Sequence, residues 1–420
     1  MAGRVLILGA GIIGLSSAWH ALRRGYQVTV VDRGESSRDG CSFGNAGMVV
    51  PSHFIPLAAP GVVWQGLKWM WNPESPFYIR PRLSWDLMSW GLRFWWASSP
   101  RRVEAAAPVL RDLNFASRSI YEEWAADIAS GPGDFGLETK GLLMLCQTAA
   151  GFHEEALFAD RANALGVPAR VLDAAATREM EPGISLKIEG SVFFPRDCHL
   201  DPNRLMAGLE AKCRAMGADF RFRTEVTGFL RDGRRLRGAT TGGGEVEADQ
   251  VVLAAGSWSP VVARQLGLGL PMQAGKGYSV TVPSPRKLPR ICSILTEARV
   301  AVTPMAGRLR VGGTMELSGL NEKIAEARVR GIKRSFCRYY TDFTEADFEG
   351  LAPWRGLRPC TPDGLPYLGR SRKIPNLVIA TGHAMMGLSL GPVTGKLVGE
   401  LLDNAPTSIN LSLLAPERYG

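Results

Sequence analysis

Val5-Leu6-Ile7-Leu8-Gly9-Ala10-Gly11-Ile12-Ile13-Gly14 stands near the start of this chain of 420 residues and joins an apolar run to three spaced glycines. A continuous apolar run of this length is typical of a buried parallel strand. A helical pattern follows over residues 15–24 and stops at Gly25, and Val28-Thr29-Val30-Val31 is a second strand that ends at Asp32. The pattern predicts a strand, a helix and a second parallel strand with a carboxylate at its end.

Each glycine of this stretch has its own physical role. Gly9 permits the tight turn, Gly11 lets the backbone approach a pyrophosphate, and Gly14 lets the helix pack closely on the strand. The N-terminus of the helix offers free N–H groups and the positive end of its dipole to a diphosphate. Asp32 is positioned to accept hydrogen bonds from both hydroxyls of an adenosine ribose. The stretch therefore predicts a dinucleotide site, but it does not separate FAD from NAD.

Length and composition indicate a globular protein of two domains that share one cleft. Hydrophobic residues make up 45% and charged residues 21% of the chain, the net charge is +9 and the sequence pI is about 9.3. Such a charge is compatible with nucleic acid, an anionic membrane or anionic substrates. The arginines are spread along the chain without a dense block, so we expect no nucleic-acid partner.

The cysteines bear on both metal binding and cell compartment. All seven are scattered, no two have CxxC spacing, and no His or Cys completes a zinc pattern, so we expect no metal site. An odd, scattered set suits a reducing cytoplasm. Pro or Gly interrupts the long uncharged stretches at residues 41–67 and 375–395. We therefore expect a cytoplasmic protein that is soluble or peripheral on the inner membrane and does not span it.

Three later segments are suited to contact a cofactor. Ser42-Phe43-Gly44-Asn45-Ala46-Gly47 is small, flexible and polar, and it follows soon after Asp32. The apolar run at residues 249–256 is a strand that leads into small residues before Ser257-Trp258. Residues 376–380 form another buried strand, followed by a glycine-rich turn and a helix to about Leu402. The N-terminus of that second helix can stabilise negative charge on a flavin.

Together these segments resemble the D-amino-acid oxidase family of flavoenzymes, and most closely its bacterial D-amino-acid dehydrogenases. The resemblance covers nearly the whole chain. It rests on residues 41–47, on Gly275-Lys276-Gly277-Tyr278-Ser279, on the segment from Gly356-Leu357-Arg358-Pro359 to Pro366, and on Thr381-Gly382-His383 with Gly387. Pro51-Ser52-His53-Phe54 and residues 382–387 look most like enzymes that oxidise D-proline or cis-4-hydroxy-D-proline.

The resemblance implies an α/β fold with two domains. A Rossmann-like FAD-binding domain would comprise residues 1–57, 196–268 and 353–420. An α+β substrate domain with a large antiparallel sheet, as in glycine oxidase, would comprise residues 58–195 and 269–352. Residues 141–145 and 278–282 are predicted to be strands of that sheet.

The resemblance also implies FAD as the cofactor. We expect it to be held non-covalently, because Cys360 does not match the spacing of the flavin-linked cysteine in sarcosine-type relatives. The predicted cofactor contacts are Gly9, Gly11, Ile12, Ile13, Gly14, Asp32, Arg33, Ser42, Asn45, Ala46, Gly47, Met48, Val226, Ala255, Gly256, Trp258, Gly382, His383, Met386, Gly387 and Leu388.

Three residues are candidates for substrate contact. Arg358 matches the family's carboxylate-binding arginine, whose planar fork suits a carboxylate, although an ion pair on the surface is the alternative. Arg355 is a less favoured candidate for the same role. Tyr278 is either a substrate contact or a core aromatic residue, and His53 is either a substrate or lid contact or only a loop histidine. For His383 we expect backbone contacts with FAD.

The activity that these features imply is oxidation of a D-amino acid by hydride transfer from the α-carbon to flavin N5, with electrons passed to a quinone or another respiratory acceptor. The alternative is an amine oxidase of the glycine oxidase or sarcosine oxidase type, which uses O₂. An NAD-dependent dehydrogenase and an RNA-binding flavin-fold protein are more distant alternatives. The sequence leaves the oligomeric state open.

Seven of the eleven tryptophans lie within residues 64–96, where apolar residues follow helical spacing between arginines. The apolar stripe comprises Leu83, Leu87, Trp90 and Phe94, with Trp95 and Trp96 at its end, and the arginines are Arg80, Arg82, Arg93, Arg101 and Arg102. A stripe this apolar usually packs inside a protein, so we expect a core element that forms a wall of the active site. The alternative is an element that lies on the membrane surface near respiratory quinones.

Overall fold

A computed structural model describes residues 3–37, 39–61, 64, 72, 74–128 and 134–419. The helices within these ranges are α1 (Ile12–Leu22), α2 (Trp85–Ala97), α3 (Pro100–Ile128), α4 (Ala149–Ala164), α5 (Ala174–Met180), α6 (Pro202–Ala215), α7 (Ser259–Gln265), α8 (Glu326–Tyr339) and α9 (Gly387–Leu402). The strands are β1 (Arg4–Leu8), β2 (Gln27–Val31), β3 (Met48–Val49), β4 (Phe77–Ile79), β5 (Leu142–Cys146), β6 (Arg170–Asp173), β7 (Gly190–Phe194), β8 (Cys198–His199), β9 (Asp219–Arg221), β10 (Val226–Asp232), β11 (Arg235–Thr241), β12 (Gly244–Glu247), β13 (Gln250–Leu253), β14 (Gln273–Val282), β15 (Cys292–Leu295), β16 (Val300–Met305), β17 (Arg308–Leu317), β18 (Trp354–Cys360), β19 (Tyr367–Arg370) and β20 (Leu377–Thr381).

The first sheet has six strands in the order β19-β20-β13-β1-β2-β9. All neighbours pair in parallel except β19, which runs antiparallel to β20. The central strands are buried on both faces, which explains why β1, β13 and β20 read as continuous apolar runs in the sequence. The strands come from three separate parts of the chain, and the carboxyl ends of the five parallel strands meet along one edge of the sheet.

Helices α1 and α9 lie close together because small residues stand where they meet. A Cβ at Gly391 would lie 2.8 Å from Cγ1 of Ile12, and a Cβ at Gly395 would overlap the backbone carbonyl of Ser16. These glycines are four residues apart, so they lie on one face of α9. The close contact places the N-termini of both helices next to the same edge of the first sheet.

The second sheet has nine strands, in the order β18-β14-β17-β16-β15-β5-β7-β6 with β4 paired to β17. Its pairings are antiparallel except β15 with β5 and β17 with β4. A three-stranded sheet, β10-β11-β12, and the short pair β3-β8 complete the described sheets. The predicted fold class, a Rossmann-like sheet beside a large antiparallel sheet, is confirmed.

The outer side of α2 corrects the expectation that the whole aromatic segment is core. Its inner residues Trp90 and Phe94 pack inwards as predicted, and Trp90 is 4% exposed. A second stripe at helical spacing faces outwards, where Trp85 is 78% and Trp95 is 68% exposed. The helix is apolar on both sides, and its neighbours within the described ranges cover only one of them. Trp69 and Trp71 lie outside the described residues.

Within the described ranges, no helix is both long enough and apolar enough to cross a membrane.

Candidate functional site

A cavity follows the carboxyl edge of the first sheet and ends beside the second sheet. Strand ends contribute Leu8, Val31, Ala254 and Thr381 to its walls. Ligands of open parallel sheets bind outside the carboxyl ends of the strands, which is where this cavity lies. Sixteen of the predicted cofactor residues line it: Gly9, Gly11, Ile12, Ile13, Asp32, Arg33, Ser42, Asn45, Val226, Ala255, Gly256, Trp258, Gly382, His383, Gly387 and Leu388.

The three glycines at the start of α1 divide their roles as the pattern predicts. Gly9 has φ +112°, which a residue with a side chain rarely adopts. A Cβ at Gly14 would overlap the carbonyl oxygen of Gly9, so Gly14 serves the packing of helix on strand and does not line the cavity. The nearest atom to a Cβ at Gly11 is Oγ of Ser42, at 3.5 Å. The protein itself therefore leaves room above Gly11.

The carboxylate of Asp32 stabilises the turn that surrounds the cavity. It accepts hydrogen bonds from the backbone N–H groups of Ala10 and Gly34, both at 2.7 Å. Next to it, the guanidinium of Arg33 lies 4.0 Å from the ring centre of Trp258, within the range of a cation–π contact. Carboxylate, stacked pair and apolar Val226 together give this end of the cavity the groups that a ribose and an adenine require.

The 41–47 loop both lines and supports the cavity. Ser42 accepts a hydrogen bond from the N–H of Ile12 at 3.1 Å, so it contacts the N-terminus of α1 directly. Ala46, Gly47 and Met48 are not among the lining residues. Gly47 has φ +76°, and Met48 pairs with His199 in the β3-β8 ladder. Gly47 and Met48 therefore hold the end of the loop against the protein.

The other end of the cavity is formed by the turn that precedes α9. Burial lowers the pKa of His383 to about 3, so its ring is neutral. Nε2 lies 3.0 Å from the hydroxyl of Thr394, whereas buried Nδ1 has no hydrogen-bond partner among the described residues. Met386 lies outside the lining, and its N–H donates to the carbonyl of His383 at 2.8 Å. The turn therefore leaves a polar atom beside the cavity for a ligand.

These features fit FAD. A glycine turn and two helix N-termini suit a pyrophosphate and a flavin, and the carboxylate at the end of β2 suits the ribose.

Arg358 lies next to this cavity on β18 but is not itself one of the lining residues. Its neighbours Leu357 and Pro359 line the cavity, and its charge lowers the pKa of the Cys41 thiol against the larger, opposite effect of burial. Nη1 donates to the carbonyl of Thr314 at 2.5 Å. Within the described ranges, no carboxylate pairs with this half-buried guanidinium.

Side chains of neighbouring strands explain why the 275–279 motif has glycine at two positions. The guanidinium of Arg358 lies over Gly277, where any Cβ would overlap it. Gly275 is covered in the same way by the sulfur of Met315, with the thiol of Cys360 at 2.8 Å from a Cβ. The motif keeps one face of β14 free of side chains beneath the arginine.

Arg355 lines the cavity but is already neutralised. Its guanidinium pairs with Asp39 at 2.8 Å and with Glu322 at 2.9 Å, which joins two loops at the edge of the cavity. An arginine with two carboxylate partners is poorly suited to anchor a third, whereas Arg358 is free of such partners among the described residues.

Tyr278 and His53 are placed away from the cavity. The hydroxyl of Tyr278 is buried and donates to Glu316 at 2.7 Å, on the face of the sheet opposite to Arg358. Nδ1 of His53 lies 3.0 Å from the hydroxyl of Ser52, which donates to buried Asp197. Neither residue is a lining residue, and burial lowers the pKa of His53 to about 4.

Arg310 is a residue at this site that the sequence reasoning missed. It is buried in β17, and its guanidinium donates to backbone carbonyls of the 41–47 loop. A signal was available, since Arg310 stands between the apolar residues Leu309 and Val311 of this strand. Its target could not be read from the sequence because the loop is 265 residues away.

Comparison with known proteins identifies the family of this chain. The model of a family described as FAD dependent oxidoreductase matches residues 4–401. The chain is similar to the D-amino acid dehydrogenase of Paramagnetospirillum magneticum, with 32% identity over 99% of both chains. It is also similar to that of Sinorhizobium medicae, with 32% identity over 99% of this chain and 100% of the relative.

Solved structures agree with the fold. Glycine oxidase from Geobacillus kaustophilus superposes with a TM-score of 0.80 and 25% identity, covering 100% of both chains. L-proline dehydrogenase from P. horikoshii gives a TM-score of 0.76 over 99% of this chain and 97% of its own, with 18% identity. The second likeness concerns the fold alone.

Proposed function

Since the chain belongs to the family of FAD-dependent oxidoreductases, we propose that it oxidises a D-amino acid and passes the electrons to a membrane quinone. Relatives named D-amino acid dehydrogenase, similar over nearly the whole chain, support the substrate class. For the substrate itself we propose D-proline or cis-4-hydroxy-D-proline, on the segments at residues 51–54 and 382–387.

The observation that carries the proposal is that Arg358 has no carboxylate partner among the described residues. Its half-buried guanidinium donates to the carbonyl of Thr314 and has further N–H donors for a ligand. An amino acid brings a carboxylate, and the fork of an arginine binds it through two hydrogen bonds. Because Arg358 lies beside the cofactor cavity, this contact would bring the α-carbon to the flavin end of the cavity.

The residues of the chain bind and orient, whereas bound FAD supplies the acceptor for a hydride that leaves the α-carbon. Arg358 holds the carboxylate and so fixes the distance and direction of the α-carbon. Because His383 is neutral, it adds no positive charge to the turn before α9. The positive charge that this turn presents to the flavin would come from the dipole of the helix N-terminus. The substrate amine reacts in its neutral form, so no side chain has to remove the proton of the α-carbon.

The acceptor proposal rests on α2. Its inner residue Trp90 donates to the carbonyl of Cys360 at 2.9 Å, and its outer stripe is exposed. Exposed Arg101 and Arg102 follow the helix, and the guanidinium of Arg102 lies 3.2 Å from the ring centre of Trp96. Tryptophans between arginines suit an anionic bilayer surface, so we propose a peripheral position on the cytoplasmic face of the inner membrane.

A substrate panel tests the proposal. The holoprotein is mixed with D-proline, cis-4-hydroxy-D-proline, other D-amino acids, their L-forms and N-methyl glycine, with an artificial dye as acceptor. We expect dye reduction with D-amino acids and the highest kcat/KM with the cyclic ones. Preference for L-amino acids or N-methyl glycine would contradict the proposal.

A second candidate is an amine oxidase that uses O₂, and the likeness to glycine oxidase favours it. The two functions differ in how the reduced protein meets air. Rapid reoxidation by O₂ in stopped flow would support the oxidase, whereas slow reoxidation in air with rapid reoxidation by a quinone supports the dehydrogenase.

A further inference from the structure

Arg310 forms an unusual set of hydrogen bonds for a buried cation. Nη1 donates to the backbone carbonyls of Phe43 at 3.2 Å and Asn45 at 2.8 Å. Nη2 donates to the side chain of Asn203 at 3.2 Å, and Nε donates to the hydroxyl of Thr281 at 3.0 Å. Burial lowers the pKa of Arg310 to about 10, so the group is still charged at neutral pH. One side chain of the second sheet thus joins α6 to the 41–47 loop.

The carbonyl between these two is held in the same way. The hydroxyl of Ser279 on β14 donates to the carbonyl of Gly44 at 3.2 Å. Three consecutive carbonyls therefore point towards the second sheet. In a trans peptide the N–H group points opposite to the carbonyl of the same unit, so the N–H groups of Gly44, Asn45 and Ala46 point away from that sheet.

We propose that Arg310 is a positioning residue for FAD, which directs these three N–H groups of the 41–47 loop towards the cofactor. Phe43 and Asn45 line the cavity, so the loop has a sheet side and a cofactor side. Successive N–H groups that point the same way form a site for the negative, hydrogen-bond-accepting edge of a ligand. Since the N-terminus of α1 suits the pyrophosphate, the accepting edge of the flavin is the part of FAD that these N–H groups would bind.

The partners of Arg310 explain why lysine cannot replace it. The planar fork reaches two carbonyls, an amide oxygen and a hydroxyl at once, whereas an ammonium is a single point with a longer, flexible stem. Arg308 offers a matched control two residues earlier on the same strand. It pairs with Asp201, at the N-terminus of α6. Among the described residues, it makes no hydrogen bond to the 41–47 loop.

The test measures cofactor binding and the flavin spectrum in holoprotein variants. FAD release is followed on dilution by the recovery of free-flavin fluorescence, and the melting temperature is recorded with and without FAD. We expect R310K to raise the Kd for FAD by about tenfold or more and to shift the visible spectrum of the flavin. R308K should leave both unchanged, and millimolar ethylguanidinium should restore binding in R310A.

Several results would overturn the proposal. One is an R310K protein that binds FAD with the wild-type Kd and spectrum. Another is an R308K protein whose Kd and spectrum change as much as those of R310K. A third is a melting temperature that R310K lowers by the same amount with and without FAD. Should R310K fail to fold, S279A provides the test, because it removes only the bond to Gly44. It should raise the Kd about threefold and shift the spectrum in the same direction, and an unchanged Kd and spectrum would refute the proposal.

Discussion

At the residue scale, the glycines of the first turn differ in what a side chain would meet. Gly9 and Gly14 are required by the backbone itself, because one has a positive φ and the other touches the carbonyl of Gly9. At Gly11 a Cβ meets only Ser42, at ordinary contact distance. A substitution at Gly11 therefore reports on the ligand and not on the fold.

We expect Gly11→Val to fold and to lose FAD, since the isopropyl group would fill the space that the pyrophosphate needs. The measurement is the ratio of flavin absorbance to protein in the purified variant, with circular dichroism as the check on folding. A folded Gly11→Val protein with one FAD per chain would show that the pyrophosphate binds elsewhere.

Single residues also mark how far the sequence leads. The apolar run before Gly9, the acid at Asp32 and the glycine before α9 could be read directly, because each depends only on neighbours in the chain. The surroundings of Tyr278 could not, since its partner Glu316 comes from another strand. Likewise, the two carboxylates that neutralise Arg355 come from distant loops.

At the element scale, the contact between α1 and α9 brings two helix N-termini to one cavity. Gly395 is the tightest point, because its Cα faces the backbone carbonyl of Ser16 and backbone cannot move aside as a side chain can. The contact thereby links the packing of two helices to the binding of one cofactor.

Gly395→Val should force these helices apart. Overpacking of this kind typically costs about 1–3 kcal/mol. We expect a lower melting temperature together with weaker FAD binding, measured by thermal denaturation and flavin release. Gly269→Val, at an exposed position where a side chain meets only open space, serves as the control. Unchanged stability and FAD binding in Gly395→Val would mean that the helices are not in contact.

Helix α2 shows where periodicity alone was insufficient. In the predicted inward stripe, Trp90 and Phe94 do pack inwards, but Leu83 is fully exposed, and a second apolar stripe beside it has the same period. Periodicity does not tell which of two apolar stripes is covered, because that depends on the neighbours of the helix. The exposed stripe became evident only from the exposure of Trp85 and Trp95.

If α2 docks on membranes, the protein should co-sediment with vesicles that contain phosphatidylglycerol and dissociate at high salt, because salt screens surface charge. A triple change of Trp85, Trp95 and Trp96 to Ser should abolish binding while dye-linked activity persists. Leu157→Ser and Leu288→Ser, at exposed apolar residues outside α2, are the controls. Wild-type protein that stays in the supernatant at low salt, or forms dimers through this face instead, would contradict membrane docking.

At the scale of the whole molecule, we propose the two-domain division at residues 57/58, 195/196, 268/269 and 352/353. The first sheet takes strands from three parts of the chain, as such a division requires, whereas β18 of the third part pairs with β14 in the second sheet. The sequence suggests these domain boundaries only through the family resemblance, because neither composition nor periodicity changes at them. The 41–47 loop contacts the N-terminus of α1 on one side and two strands of the second sheet on the other, so the cavity depends on how the two domains fit together.

Stability should depend on pH through buried groups. Burial lowers the pKa of four histidines, to about 3 for His20 and His383 and about 4 for His53 and His199. These rings become protonated in the unfolded chain below about pH 6.5, which favours unfolding. Burial raises the pKa of Asp197 and Glu155 to about 7, and these carboxyls act in the opposite sense.

Because the four histidines outnumber the two carboxyls, we expect the melting temperature to be highest near neutral pH and to fall from about pH 6.5 towards pH 5. Differential scanning fluorimetry in buffers of equal ionic strength measures it. A melting temperature that rises on acidification would mean that these histidines are not neutral in the folded protein.

The anchoring of a substrate carboxylate by Arg358 is the central claim, and anaerobic stopped-flow reduction of the flavin by a D-amino acid tests it most directly. Loss of a charge-assisted, two-point contact costs about 2–5 kcal/mol, so Arg358→Ala should bind the substrate far more weakly and reduce its flavin more slowly. Arg358→Lys should recover only part of the binding, and the FAD content should stay near that of the wild type. If Arg358→Ala binds and reduces like the wild type while Arg355→Ala loses substrate affinity, the anchor is Arg355 and the account is wrong.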